Sequence, residues 1–189
     1  MSQKQLILAS TSKYRRELLQ RLAIPFESQA PLFDEEKEKG LGFAPRALAE
    51  HLALKKAESL AQEGRVVIGG DQLVSFEGRI LGKSHTPEKA VEQLLSMQGK
   101  THELVTAICV FDGMKAIPYT DITRLTMRSL TRAQAEHYVS LDNPIDCAGS
   151  YKIEKHGIML FDKIDSQDFT AITGLPLMEL RKILERCGL

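Results

Sequence analysis

Residues Gln5 to Leu19 read QLILASTSKYRRELL, and this stretch decides the class of fold. Its apolar start, Gln5 to Ala9, is typical of a short buried strand, while the leucines at its end share one face of a helix that runs to about Leu22. Ser10-Thr11-Ser12 lies between them and offers helix-capping side chains. The stretch therefore predicts a strand, a turn and a helix.

The rest of the chain alternates helices and strands unevenly, with a hairpin-rich middle. Predicted helices cover 45–62, 87–98, 131–141 and 175–187, and predicted strands cover 66–68, 73–76, 79–81, 103–111, 116–127, 150–154 and 158–161. Glu77-Gly78 is the expected hairpin turn. This pattern favours a mixed α/β sheet over a doubly wound parallel sheet or a barrel.

Composition indicates which binding partners and which cellular compartment to expect. The 189 residues suit one domain, or two small lobes around one cleft, and 25 basic against 25 acidic residues leave no net field to hold a nucleic acid. Cys109, Cys147 and Cys187 lie far apart, which excludes a disulfide framework and a zinc site. The longest apolar stretch, 104–111, is too short to span a membrane. We therefore expect a cytoplasmic protein with neither nucleic-acid nor membrane partners.

The first helix begins with an unusual group of cations. Lys13, Arg15 and Arg16 lie near its N-terminus, where the helix dipole disfavours positive charge. Backbone N–H groups, serine hydroxyls and arginine forks together would make a phosphate cradle there. The alternative is an ordinary capped helix with solvated cations. Neither a P-loop nor a Rossmann glycine motif is present.

Two acidic positions supply candidate metal ligands. Asp34, Glu35 and Glu36 form a charge run that we place in a loop, and Asp71 follows Gly69-Gly70 at an expected strand end. Mg²⁺ and Mn²⁺ take one or two carboxylates together with phosphate oxygens and water. The acidic run alone is more often solvated, whereas Asp71 is predicted to be a metal ligand or a base for water.

Two further segments could line a pocket. Lys83 follows Gly82 across the hairpin from Asp71, which would bring its ammonium group near that carboxylate; the alternative is a turn lysine in solvent. The predicted strand at 150–154 puts Lys152 and Glu154 on one face. No histidine has the spacing of a metal site or a catalytic triad.

Several of these motifs, in order along nearly the whole chain, resemble the Maf family of nucleoside triphosphate pyrophosphatases. The motifs are LILASTS (6–12), RRELL (15–19), FDE (33–35), KA (56–57), GGDQ (69–72), GK (82–83), AGS (148–150) and GLP (174–176). The resemblance implies a single Maf-like domain over 1–189. It also implies a mixed, strongly curved sheet with flanking helices and a cleft between two lobes, similar to inosine triphosphatases.

The resemblance also implies an activity, a cofactor and roles for residues. Family members split a nucleoside triphosphate into monophosphate and pyrophosphate with a divalent metal, Mg²⁺ or Mn²⁺, and are commonly dimeric, which makes a homodimer one implied partner. Asp71 would accept the proton of the attacking water and bind the metal with Glu35. The phosphates would be held by Arg15, Ser10, Ser12, Lys56 and Lys83, which would also offset the charge that grows on the leaving pyrophosphate. Arg15 and Lys83 would in this way be catalytic residues together with Asp71.

Three positions distinguish branches of the family. Tyr14, Gln72 and Glu154 resemble the aromatic, Gln and Glu set of the 7-methyl-GTP enzymes, whereas the dTTP/UTP enzymes carry Arg, Thr and Gln. Methylation at N7 makes guanine cationic, and an aromatic face attracts a cation while a carboxylate neutralises it. The expected substrate is therefore 7-methyl-GTP. The alternatives are a dTTP/UTP pyrophosphatase and a nucleotide-sensing regulator of septum formation.

Overall fold

A mixed sheet of seven strands, flanked by helices, organises the structure, a computed structural model that describes residues 4–39, 42–113 and 115–189. The strands are β1 (Gln5–Ala9), β2 (Glu27–Gln29), β3 (Arg65–Phe76), β4 (Arg79–Leu81), β5 (Thr101–Asp112), β6 (Lys115–Met127) and β7 (Phe161–Asp165). The helices are α1 (Lys13–Gln20), α2 (Glu35–Lys39), α3 (Pro45–Glu58), α4 (Pro87–Met97), α5 (Arg132–Asp142) and α6 (Leu177–Arg186).

The sheet order is β2-β1-β3-β5-β6-β7, with β4 paired to β3. β1 pairs in parallel with β2 and β3, whereas β4 and β7 pair antiparallel with β3 and β6. The mixed α/β sheet predicted from the sequence is thus confirmed. The chain divides into two compact units, the first formed by residues up to 72, 105–121 and 167–189, and the second by 73–104 and 122–166.

One face of the sheet in the first unit is covered by α1 and α6. Alternate residues of a strand point to the same face, and those on this face are aliphatic. The buried cluster contains Leu6, Leu8, Val66, Ile68, Ile108 and Val110 from the strands, and Leu18, Leu19, Leu180, Ile183 and Leu184 from the helices.

The opposite face of β3 packs against α3 through a glycine. A Cβ atom built on Gly69 would lie 2.1 Å from the carbonyl oxygen of Ala53 and 2.6 Å from the backbone nitrogen of Ala57. Since real Cβ atoms do not approach other atoms so closely, only glycine lets α3 lie this near the strand. The close approach brings Lys56, the neighbour of Ala57, to β3.

In the second unit, local hydrogen bonds fix the ends of helices and strands. Thr86 caps α4 before Pro87, and Thr131 with Gln134 forms a capping box at the start of α5. The β3–β4 hairpin pairs Phe76 with Arg79, so its turn is the predicted Glu77-Gly78, with φ of 50° and 76°.

Some predicted elements differ from those observed. Glu35 and Glu36 begin a short helix rather than lying in a loop, and β3 continues unbroken through 65–76, so that Asp71 lies inside a strand and not at its end. The strands predicted at 150–154 and 158–161 are wrong: residues 153–155 form a turn, a 3₁₀ helix follows at His156–Leu160, and β7 begins only at Phe161. The predicted loop at 40–45 includes residues 40 and 41, which lie outside the described residues.

Helix lengths also differ slightly from the prediction. α3 ends at Glu58 and α6 begins at Leu177, each shorter than the sequence pattern indicated. Among the described residues, the structure contains no helix whose length and apolar character would let it cross a membrane.

Candidate functional site

Lys56 contacts the carboxylates of both acidic residues that were predicted as metal ligands. Its Nζ lies 2.6 Å from Oδ1 of Asp71 and 3.0 Å from Oε2 of Glu35. Lys56 comes from α3, Asp71 from β3 and Glu35 from the first turn of α2. Three sequence-predicted site residues therefore meet, and the lysine that contacts Asp71 is Lys56.

The surroundings of Asp71 change the pKa and the hydrogen bonding of its carboxyl group. Only 6% of the residue is exposed, and its second carboxylate oxygen, Oδ2, is buried with no hydrogen-bond partner. Burial raises the pKa of the Asp71 carboxyl, against the opposing positive charges of Lys56 and Arg15. The site thus contains a carboxylate with one oxygen held by a cation and the other unsatisfied.

Arg15 extends from α1 toward the same carboxylates. Its Nε donates to the carbonyl oxygen of Gly174 at 3.1 Å, and the charges of Asp71 and Glu35 act on its guanidinium group. Burial lowers the pKa of Arg15, while those two carboxylates oppose the decrease. A cation at the wrong end of a helix dipole is therefore offset in part by carboxylates of the protein itself.

Gln72 points to the other face of β3 from Asp71 and contacts the segment after 170. Its Nε2 donates to Oγ1 of Thr106 and to the carbonyl oxygens of Ala171 and Ile172, at 2.8, 2.8 and 3.1 Å. Thr106 also donates to Ala171. The sequence predicted Gln72 as a substrate-binding residue. In the structure its amide nitrogen donates to acceptors of the protein itself. It thereby holds the segment after 170, which Arg15 also contacts through Gly174.

That segment contains residues that the sequence analysis missed. Gly174 has φ of 116°, which L side chains rarely adopt, and a Cβ on it would lie 3.3 Å from Cγ of Arg15. Asp168 and Thr170, both buried, bind the backbone at the start of α6 by accepting from Met178 and Leu177. The GLP motif at 174–176 was the signal in the sequence that pointed here.

The turn between β1 and α1 has the predicted capping geometry. Ser10 Oγ accepts from the backbone nitrogen of Ser12 at 3.1 Å, and Ser12, the N-cap, accepts from that of Arg15 at 3.4 Å. The parallel register sets Ala9 opposite Gly69, so this turn and Asp71 follow neighbouring strand positions. Tyr14 is 42% exposed at the start of α1.

The two predicted site residues of the second unit are exposed. Lys83 forms an isolated backbone bridge with Ala148, and its predicted closeness to Asp71 stays a prediction. Glu154 lies in the turn at 153–155, not on a strand. Lys152, expected beside it on one strand face, instead binds Asp146 at 3.0 Å and is mostly buried.

The first unit offers a partial donor set for a divalent metal. Asp71 and Glu35 supply hard carboxylate oxygens, and the unsatisfied Oδ2 of Asp71 is suited to a cation. In the described part of the chain, no group of three or more His, Cys, Asp or Glu side chains could hold a metal ion. Two carboxylates fit a metal whose other ligands are phosphate oxygens and water.

Comparison with known proteins gives long and extensive matches. A protein of Bdellovibrio bacteriovorus named 7-methyl-GTP pyrophosphatase is 74% identical over 189 residues, covering 100% of both chains. One of Xanthomonas oryzae pv. oryzae with the same name is 44% identical, covering 97% of this chain and 96% of its own. A solved nucleoside-triphosphatase / dITP/XTP pyrophosphatase of Mycobacterium abscessus has a TM-score of 0.43 and 12% identity, covering 67% of this chain and 75% of that one.

The family assignment follows from the extent of these matches. Residues 5–187 match the family described as Maf-like protein, which extends from the first residue of β1 to the residue after α6. The motifs that carried the resemblance lie within that span. The chain belongs to the Maf family.

Proposed function

We propose that this protein hydrolyses 7-methyl-GTP to 7-methyl-GMP and pyrophosphate by cleaving the bond between the α and β phosphates. The observation that carries the proposal is the 74% identity over the full length of both chains to a protein named 7-methyl-GTP pyrophosphatase. The cluster of Arg15, Lys56, Asp71 and Glu35, in which Lys56 and Asp71 are buried, supports it, because it joins cations for phosphates with carboxylates for a metal and a base.

Asp71 is the proposed proton acceptor for the attacking water. A general base works best when its pKa lies nearer the working pH than that of an ordinary aspartate, and burial raises the pKa of Asp71 in this direction. Lys56, at 2.6 Å, holds one oxygen of the carboxylate and leaves Oδ2 for the water or for a cation. The lysine therefore orients the base.

The cations of the site would bind the phosphates. Arg15 and Lys56 already lie beside Asp71, and we assign Ser10, Ser12 and Lys83 to the same task from their motifs. As negative charge grows on the leaving pyrophosphate, fixed positive groups stabilise it more strongly than they stabilise the substrate. Gly174 holds the Arg15 side chain through its carbonyl oxygen, which sets the direction of the guanidinium group.

Glu35 and Asp71 would hold the divalent cation, Mg²⁺ or Mn²⁺. When bound, such a cation supplies Lewis-acid stabilisation of phosphate charge and lowers the pKa of a bound water. Lys56 contacts both carboxylates and so keeps them close together. The protein's contribution is thus a preset pair of oxygen donors.

Base recognition is assigned to Tyr14 and Glu154, with Gln72 in support. The exposed ring of Tyr14 offers a stacking face for a cationic base, and the Glu154 carboxylate would accept from the donor edge of guanine. Gln72 contributes by fixing residues 171 and 172 through its amide nitrogen. The dTTP/UTP pyrophosphatase and the septum regulator remain the alternatives. One functional domain over 1–189, a cytoplasmic location and a homodimer stay predictions.

The test is pyrophosphate release from 7-methyl-GTP, GTP, dTTP and UTP, each with Mg²⁺ and with Mn²⁺. We expect 7-methyl-GTP to give the highest kcat/KM and the two pyrimidine nucleotides the lowest. A preference for dTTP or UTP would contradict the assigned substrate but not the reaction. Binding of nucleotides without pyrophosphate release under either metal would favour the sensing alternative.

A further inference from the structure

A buried carboxylate in the second unit has no place in the proposed reaction. Asp142, the last residue of α5, has a side chain with 0% exposure. Carboxylates are almost never so deeply buried unless they are paired. Its partner is His156, whose ring Nδ1 lies 2.6 Å from Oδ1 and whose backbone nitrogen donates to Oδ2 at 3.1 Å. Asp142 therefore binds the residue that ends the turn at 152–156.

The same turn is closed by its own backbone. The nitrogens of Lys155 and Gly157 both donate to the carbonyl oxygen of Lys152, at 3.1 and 3.0 Å. A Cβ on Gly157 would lie 2.4 Å from that oxygen, so the geometry of the turn requires glycine. Glu154 is exposed at the middle of this turn. The shape of the turn thus decides where the Glu154 side chain leaves the backbone.

The start of the turn is also bound to the end of α5. The backbone nitrogen of Lys152 donates to the Tyr138 hydroxyl at 2.8 Å. Lys152 Nζ donates to the carbonyl oxygens of Asp142 and Asn143 at 3.4 and 3.2 Å, where the helix dipole favours a cation. The C-terminal end of α5 therefore binds both Lys152 and His156, the first and last residues of the turn.

We propose that Asp142 and His156 are positioning residues for base recognition, which hold the turn so that the Glu154 carboxylate is preset for the base. This inference rests on the proposed function, because it takes Glu154 as the group that faces 7-methylguanine. A carboxylate on an unrestrained turn would lose conformational entropy on binding, and a prefixed one avoids that cost. The buried pair therefore contributes to specificity without touching the substrate.

The experiment compares His156→Ala with His156→Asn, whose amide nitrogen can still donate to Asp142. The matched control is His137→Ala, which changes an exposed histidine on α5, the helix that carries Asp142. The measurement is kcat/KM for 7-methyl-GTP and for GTP, at equal folded fraction. We expect His156→Ala to lower the preference for 7-methyl-GTP about tenfold, mainly through KM, as loss of a hydrogen bond to a charged group predicts. His156→Asn should restore most of the preference, and His137→Ala should leave it unchanged.

Hydrogen exchange of the amides at 152–157 supplies a second readout, and we expect it to be faster in His156→Ala than in His156→Asn. An unchanged preference in His156→Ala, or an equal loss for both nucleotides, overturns the inference while the proposed function stands. A wild-type enzyme without any preference for 7-methyl-GTP contradicts the proposed substrate, and this inference with it. The two failures are told apart by the wild-type preference alone.

Discussion

The two units differ in how far their predicted site residues are exposed to solvent. In the first unit, Asp71 and Lys56 are buried against each other, with Glu35 and Arg15 beside them. In the second unit, Lys83 and Glu154 are exposed, and Glu154 is fixed through its backbone turn. The first unit thus contains buried charges that pair with each other. The charged site residues of the second unit are exposed to solvent.

This difference is consistent with the proposed roles, in which the first unit's cluster performs the chemistry and Glu154 of the second unit recognises the base. Charges interact far more strongly in a desolvated site than in water, so the buried cluster can stabilise charge that develops in a reaction. Exposed charges contribute less to any single contact, yet a fixed geometry lets them distinguish one ligand from another. Changes in the first cluster should therefore alter rate, and changes at Glu154 should alter preference.

The largest expected effect tests the first half of this comparison. Asp71→Asn keeps the shape of the side chain and removes its basicity, so we expect turnover of 7-methyl-GTP to fall about 10²–10⁴-fold, the usual cost of losing a general base. Lys56 retains Glu35 as a partner, so the fold should persist. The measurement is kcat from pyrophosphate release, together with the Kd of the nucleotide without turnover.

The control is Asp162→Asn, which changes an exposed aspartate of β7. It should leave both kcat and Kd unchanged. Wild-type turnover in Asp71→Asn would mean that Asp71 is structural and that another group activates the water.

The contrast between the units also explains which features the sequence could predict. Caps at Ser12, Thr86 and Thr131 are hydrogen bonds within three residues, and the first lies in the Ser10-Thr11-Ser12 stretch where the sequence indicated capping side chains. The Glu77-Gly78 turn is equally local. By contrast, Gln72 finds its acceptors 99 and 100 residues away, which no local pattern encodes.

The errors have physical causes of the same kind. Alternating polar residues at 150–154 indicated a strand, but Asp142 and Tyr138 of α5 bind that segment and bend it into a turn. The glycines before Asp71 indicated a strand end, whereas Gly69 is there to admit α3 against a continuous strand. Tertiary packing decided both outcomes.

The second prediction concerns preference. Glu154→Gln keeps the shape of the side chain and removes the charge that would neutralise a methylated base. We expect relative kcat/KM for 7-methyl-GTP over GTP to fall by about one to two decades, since a contact to a charged group is worth roughly 1.5–3 kcal/mol. Turnover of GTP should change little. An equal loss on both nucleotides would mean that Glu154 acts on something other than the base.

The third prediction concerns a buried histidine of the second unit and its effect on how folding stability depends on pH. His102 is 1% exposed, its Nε2 lies 3.0 Å from the Tyr151 hydroxyl, and its Nδ1 has no partner. Burial lowers its pKa from 6.5 to about 4. The unfolded chain therefore binds a proton first as pH falls, and stability is lost progressively between about pH 6.5 and pH 4. From this group alone we expect about 2 kcal/mol less stability at pH 5 than at pH 7.

Urea unfolding at the two pH values measures this effect. His102→Gln does not titrate and can still bond Tyr151, so its pH dependence should be smaller than that of the wild type by about the same amount. An identical pH dependence in the two proteins would show that His102 takes up a proton as readily in the folded protein as in the unfolded chain.

The smallest expected effect separates two roles of Ser12, which caps α1 and is assigned to the phosphates. Ser12→Ala removes the cap and should cost roughly 0.5–2 kcal/mol of stability, whereas Ser12→Gly should cost only a few tenths, because glycine is tolerated at an N-cap. Neither variant has a hydroxyl for a phosphate. If Ser12 binds substrate, both variants should raise KM equally although their stabilities differ. If the serine only caps α1, KM should follow stability, and Ser12→Gly should then behave like the wild type. Thermal unfolding and KM for 7-methyl-GTP are measured on the same two variants. Together they decide whether Ser12 binds the substrate or only caps α1.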